Sequence, residues 1–407
     1  MGIMTKVDYL VIGGGAAGFF GAIRIAENQP GAKVLILEKG NALLQKVKIS
    51  GGGRCNVTHA CFIPRELIGF YPRGSRELMG PFNTFQPGDT FGWFAERGVE
   101  LSTEEDGRVF PSSNSSETII ACFQSQAQKL GVFIHTKEGL TSIVQVGSDW
   151  KVETASESYL SPKVLFATGS SKAMWEQLDE LGLDIVEPLP SLFTFRCQDS
   201  LIEGLAGISF PNIEVATSTF PNKSYVGPLL ITHRGFSGPG ILKCSAWQAR
   251  ELHETSYQFD LKVNFIGMNT KECLQELRKD REANPKKKLR NSNIFKLPNR
   301  FWERLTKELE IDDLFWASVS KVKMIKLAES LCAKKFFING KNTFKDEFVT
   351  CGGVSLKEID FKKMESKKFP GLHFAGEVLN IDAVTGGFNF QAAWTTSFIA
   401  ANGMTDS

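Results

Sequence analysis

The stretch VDYLVIGGGAAGFFGAIRIA, residues 7–26, constrains the fold more than any other part of the chain. An apolar run (VDYLVI) meets a glycine cluster at once; a helical stretch follows over roughly 16–27, then a second apolar run, VLILE, at 34–38. Strand, glycine turn, helix and strand make a βαβ unit, and continuous apolar strands suit a parallel sheet buried on both faces. Gly13, Gly15 and Gly18 fall in a G-x-G-x-x-G pattern. The first permits the tight turn, the second lets backbone approach a pyrophosphate, and the third lets helix and sheet pack closely. The helix start at Ala16 and Ala17 offers free N–H groups and a positive dipole end to phosphates. Glu38 ends the second strand, where an acid accepts hydrogen bonds from ribose hydroxyls, with Lys39 beside it. The expectation is a dinucleotide site. It also explains the apolar N-terminal stretch better than a signal-peptide core does.

Three later features extend the expected ligand to FAD. Ala167, Thr168 and Gly169 end a buried strand (KVLFATG, 163–169); HFAGE places Glu377 just beyond another, suited to a ribityl hydroxyl. Gly386 and Gly387 open the last helix, whose dipole suits negative charge on a flavin edge. No second G-x-G-x-x-G follows a strand, so NAD(P)H is expected only as a transient co-substrate. KISGGGRCNVT, residues 48–58, reads as a clamp around the cofactor. Cys55 there lacks a C-x-x-C partner and is expected to be structural or cofactor-contacting, not a redox dithiol.

Between these blocks, 41–86 reads as long ordered loops with a short helix or two, and Asn114 with Glu117 as the capped start of a helix running to Gly131. TSIVQV, WKVET and SYL read as a three-stranded antiparallel meander. Residues 190–265 read as short strands without alternating helices, and 270–332 as helices split by a basic, solvated linker, PKKKLR. The expected organisation is an FAD domain made of 1–192 and 346–407. Its insertion, 193–345, is β-rich at 193–265 and 333–345 and helical at 268–332.

Eight scattered cysteines without close pairing suit neither a zinc site nor a disulfide framework, and favour a cytoplasmic setting. A formal net charge of +2 argues against an obligate nucleic-acid binder, and no long apolar run suggests a membrane span. A small-molecule substrate is the expected partner; oligomeric state is left open. No metal-ligand cluster, Ser-His-Asp order or Walker motif is present.

The blocks VIGGGAAG, KISGGGRCNVT, DGRVFPSS, ITHRGFSGPGIL and the segment from VTCGGVS to FNFQAAWTT resemble the YhiN/BaiN-like FAD-binding flavoproteins. These are also described as NAD(P)/FAD-dependent oxidoreductases or as an aminoacetone oxidase family. The resemblance implies an α/β fold: a discontinuous glutathione-reductase-type FAD/NAD(P)-binding domain with an inserted β-barrel-like domain and small helical bundle. It places Lys46, Ser50, Gly51, Gly52, Gly53 and Arg54 around phosphates and flavin, and Leu140 at the adenine through its backbone. Ala167, Thr168 and Gly169 fall beside the adenosine half; Gly376, Glu377, Gly387, Phe388 and Asn389 fall at the pyrophosphate, ribityl chain and ring. His59 stands where the family commonly has Asn, and Asn380-Ile381-Asp382-Ala383 replaces Asp-Val-Asp-Gly.

His233, in THRGFSGP, is the candidate proton relay, with a loop-stabilising role as the alternative. Asp382 and Asn380 read as structural, and Trp394, Phe388 and Phe390 as core. The expected activity is hydride exchange between a small or medium organic substrate and flavin, with NAD(P)H as reductant. A dioxygen-using amine oxidase, an RNA-modifying enzyme and a low-turnover flavin sensor are the alternatives.

Overall fold

The computed structural model describes residues 4–342 and 349–406. The chain divides into two compact units, residues 1–190 with 345–407, and residues 191–344. The boundary expected at 345/346 lies outside the described residues.

The first unit is built on a sheet whose central strands run parallel, in the order Leu372–Phe374, Lys163–Phe166, Tyr9–Ile12, Val34–Glu38, Phe133–Thr136. The strand from the C-terminal part therefore pairs with Lys163–Phe166, which makes the unit discontinuous in sequence. Leu10, Val11, Leu35, Ile36, Val164 and Leu165 are buried, as strands covered on both faces must be. The helix Ala16–Asn28 packs against the closing helix Phe388–Thr405. Around them Phe20, Trp93, Phe123 and Trp394 form a cluster with ring centroids 4.8–5.6 Å apart. Trp394 stacks on Phe390 at 5.5 Å. The meander forms antiparallel over Leu140–Val146, Asp149–Thr154 and Ser158–Ser161, joined by a parallel edge strand, Met4–Lys6.

Two local expectations are corrected here. The helix Ser116–Lys129 is capped by Ser115, whose Oγ accepts the Glu117 N–H at 3.3 Å. Asn114 instead takes a left-handed φ of 54°, which asparagine tolerates better than most residues and which turns the chain into the cap. The segment 41–86 holds more helix than expected: Gln45–Gly53, Pro64–Leu67 and Met79–Thr84, with a 3₁₀ turn at Ile68–Phe70.

In the second unit, six antiparallel strands close a barrel, in the order Thr194–Cys197, Gly235–Ser237, Ser224–Thr232, Ser209–Thr217, Gln258–Asn264, Lys334–Asn342. Closure leaves no free edge, and inward-facing Phe195, Val215, Ile231, Phe236, Leu261 and Phe336 fill the interior. The span 190–265 is not helix-free. Pro239–Trp247, with Pro at its first position, packs on the barrel strands and buries Ile241 and Cys244, and Ala249–Glu254 follows. Three further helices, Thr270–Ala283, Asn299–Glu308 and Lys321–Cys332, carry the expected amphipathic stripes; Asn299–Glu308 buries Phe301, Trp302 and Leu305. Among the described residues, no helix is long and apolar enough to cross a membrane.

Candidate functional site

In the glycine turn, each of the three glycines meets a different demand. A Cβ on Gly13 (φ 111°) would stand 2.5 Å from the Ala167 carbonyl oxygen, so this residue lets two strand ends close on each other. A Cβ on Gly18 would overlap the Gly13 carbonyl oxygen, so Gly18 brings the helix onto the turn. Gly15 is the exception: a Cβ there meets nothing within 4 Å. It sits at the N-cap of Ala16–Asn28 without a capping side chain. The N–H groups of Ala16, Ala17 and Gly18 are thus available at a positive dipole end. Glu38 is oriented by two amides, its carboxylate accepting Gly14 N–H at 2.8 Å and Gly40 N–H at 2.7 Å. Each oxygen keeps a lone pair for a hydroxyl donor. Exposed Lys39 lies 3.4 Å from the Ser171 hydroxyl.

KISGGGRCNVT forms the end of Gln45–Gly53, which breaks at Ser50 (ψ 149°). Gly51, Gly52 and Gly53 follow at φ 59°, 67° and 83°; Cβ atoms on the last two would meet nothing within 4 Å. Three successive left-handed residues present exposed backbone that side-chain-bearing residues would resist. Ser50 Oγ donates to Val47 O at 3.0 Å. Arg54 binds Glu104 at 2.7 Å and lies 3.9 Å over the Phe110 ring. Arg108 reaches the other oxygen of Glu104 at 2.8 Å. The short pairing Thr58↔Val109 brings DGRVFP against SGGGR; nothing in the linear spacing of the two segments signals it. Cys55 is fully buried at φ 62°, and burial pushes its thiol up to about 12. It is a protonated, enclosed side chain, poorly suited to attack as a thiolate.

Lys46 and Glu377 form an ion pair, with Lys46 also donating to Ser170 Oγ at 2.9 Å and Glu377 accepting Thr350 N–H at 3.0 Å. Gly169 (φ 59°) lies beside Glu377, 3.9 Å separating its notional Cβ from the carboxylate. Gly376 (φ 75°) donates its N–H to Thr396 Oγ1 at 2.9 Å. Gly387 caps the closing helix, where a Cβ would overlap Thr58 O. Phe388 is buried in a stack with Phe70 (4.3 Å) and His59 (4.4 Å), and its carbonyl accepts the Tyr71 hydroxyl at 2.6 Å. Asn389 closes the 383–389 loop by two hydrogen bonds to Ala383. His59 Nδ1 faces Gly386 O at 3.1 Å; burial holds its imidazole below the usual range, against the pull of that bond. Asp382, fully buried, pairs with Arg73, a partner sequence reading missed.

Leu140 is buried at the first position of a strand, its carbonyl 3.5 Å from Gln177 Nε2. His233 and Arg234 form the exposed two-residue turn between Ser224–Thr232 and Gly235–Ser237 in the barrel unit. Among the described residues, no cluster of three metal-ligating side chains occurs.

Three observations fit these residues to FAD. The Gly15 and Gly52–Gly53 backbones border open space, with nothing within 4 Å of a notional Cβ. Among the described residues, the buried Thr168 hydroxyl has no hydrogen-bond partner, at the end of the strand beside the turn. Two helix N-termini whose N-cap residues, Gly15 and Gly387, bring no capping side chain suit anionic groups.

The family model described as HI0933-like protein Rossmann domain matches residues 7–403. The chain is 30% identical to a Haemophilus influenzae protein named ribosomal RNA dihydrouridine synthase, over 97% of each chain. It is 23% identical to the 3-dehydro-bile acid delta(4,6)-reductase of Clostridium scindens, over 96% of this chain and 97% of that one. Among solved structures, a 3-ketosteroid-delta4-(5alpha)-dehydrogenase from Rhodococcus jostii shares the fold at a TM-score of 0.53 and 13% identity, covering 99% of this chain and 97% of its own.

Proposed function

The chain belongs to the HI0933-like family and is an FAD-dependent oxidoreductase, and we propose that it reduces a carbon–carbon double bond conjugated to a carbonyl, in a uracil ring of ribosomal RNA. The observation that carries this reading is the end-to-end similarity to the relative named ribosomal RNA dihydrouridine synthase. The relative named as a delta(4,6)-reductase supports the reaction class, since both names describe adding two hydrogens across C=C.

FAD, when bound, supplies the hydride to C6, with NAD(P)H as the ultimate donor of the electron pair. The amides of Ala16–Gly18 would hold its pyrophosphate and Glu38 its adenosine ribose, and the buried Thr168 hydroxyl, which has no partner among the described residues, would bond to it. Gly51–Gly53 and the N-terminus of Phe388–Thr405 serve the flavin half. A proton must also reach C5, and solvent supplies it.

The test is anaerobic: holoprotein is mixed with NADH or NADPH, then with unmodified ribosomal RNA transcripts. Nicotinamide should bleach the flavin band, the transcript should restore it, and digestion should release dihydrouridine. Bleaching by amines alone, or reoxidation without dihydrouridine, overturns the reading.

A further inference from the structure

The whole-chain charge of +2 is the sum of two opposed parts. Residues 191–344 carry 24 Lys and Arg against 16 Asp and Glu, a formal +8; the remainder carries 23 against 29, a formal −6. The excess concentrates at 286–307, where eight basic residues accompany a single acid, Glu303. Some of these charges are spoken for. Lys288 and Arg290 share Asp313 at 3.0 and 3.2 Å, and Arg300 and Arg304 donate to the carbonyls of Gly204 and Ser200. Lys286, Lys287 and Lys296 are exposed, and none pairs with a carboxylate among the described residues.

The lysine segment is a solvated turn, as its sequence suggests, and its backbone is also held in place. Leu289 is buried, and its N–H donates to Leu314 O at 3.1 Å while its carbonyl accepts Trp302 Nε1 at 3.0 Å. The Lys287 carbonyl accepts the Trp316 N–H at 3.1 Å, and buried Trp316 Nε1 donates to Ser292 and Asp280 at 2.9 and 2.7 Å. The segment borders an open pocket of about 410 Å³ lined by Lys287, Lys296, Asn291, Asn293 and Asn299 together with the apolar Ile294 and Leu297. Phe315, paired with Lys288 through backbone, keeps 48% of its surface exposed at the same place.

We propose that this pocket and its lysines form an RNA-docking surface, which rests on the ribosomal RNA reading above. Ammonium groups without carboxylate partners neutralise phosphates and release counterions, the Asn291 and Asn299 amides hydrogen-bond sugar and phosphate oxygens while Asn293 braces the loop through Leu297, and an exposed ring offers a stacking face for a base. Pre-ordering by Trp302 and Trp316 lowers the entropy lost on binding.

The test uses holoprotein and a fluorescein-labelled, unmodified ribosomal RNA transcript, with affinity read by anisotropy at several KCl concentrations. The triple variant Lys286→Glu, Lys287→Glu, Lys296→Glu, checked for native FAD absorbance and circular dichroism, should bind at least about 30-fold more weakly near 0.1 M salt. Triple replacement by Gln should lower the slope of log K against log[salt] by about two to three. NAD(P)H-driven flavin reduction should be unchanged in both. Unchanged RNA affinity and salt slope in variants of a wild type that binds RNA overturns the docking surface and leaves the function standing. Failure of wild type to bind RNA or to form dihydrouridine overturns the ribosomal RNA reading itself. Equal wild-type affinity for phosphatidylglycerol vesicles, lost in the same variants, overturns the assignment of the surface to RNA.

Discussion

Two alanine substitutions in one turn should have opposite consequences, because the turn's glycines answer to different neighbours. Gly15→Ala adds a methyl that meets nothing within 4 Å, at an extended φ of −94° that alanine adopts freely. Losing glycine at an N-cap costs about 0.5–1 kcal/mol, and the stiffer unfolded chain returns about 0.4–1 kcal/mol. Fold stability should therefore change by less than about 0.5 kcal/mol. The same methyl fills the space where a pyrophosphate would meet the Ala16–Gly18 amides. Displacing one or two charge-assisted hydrogen bonds costs about 3 kcal/mol, or roughly 150-fold in FAD affinity. Gly18→Ala places its methyl on the Gly13 carbonyl, a backbone atom that cannot rotate away, and should cost about 3 kcal/mol of stability. Circular-dichroism melts with and without added FAD, together with flavin fluorescence titration, separate the two. A Gly15→Ala variant that melts as early as Gly18→Ala, or one that keeps wild-type FAD affinity, would refute the assignment.

Further outcomes follow from buried groups. His373 is fully buried, donates from Nδ1 to Lys363 O at 3.0 Å and has its pKa lowered to about 4, chiefly by burial. Because the unfolded chain takes up that proton near 6.5, stability should fall as pH drops from 6.5 to 4, by on the order of 3 kcal/mol; His373→Asn should flatten this dependence in urea titrations. Asp382→Asn or Arg73→Ala should each lose about 3–5 kcal/mol by stranding a buried charge, and the double replacement by Leu and Met should lose less than either; chemical denaturation checks this. Cys55→Ser should retain FAD and turnover, and the native thiol should resist iodoacetamide at pH 8, as mass spectrometry of the labelled protein would read.

The features legible in the sequence are those whose physics is local. The 7–38 unit could be read residue by residue because a glycine turn, an apolar strand and a helix start are each set within a few positions. The same holds for the closing helix behind Gly386 and Gly387. The helix Pro239–Trp247 escaped because its apolar residues match the surrounding strands in character, and only the barrel it packs against selects one period over the other. Ser115 rather than Asn114 caps the next helix for a similar reason: two adjacent polar residues satisfy the motif equally, and backbone direction chooses between them.

By itself, the sequence determined the strand–glycine turn–helix–strand unit at 7–38 and the run of glycines at 51–53. The pairings that tune the site needed the tertiary structure. Arg54 with Glu104, Arg73 with Asp382 and Lys46 with Glu377 join residues 50, 309 and 331 positions apart. The charge division between the two units was written in the same letters, yet it becomes a surface only once the chain is cut where it folds. Linear order reports what a residue's neighbours permit; Coulomb attraction and burial act through space, and there the fold decides who the neighbours are.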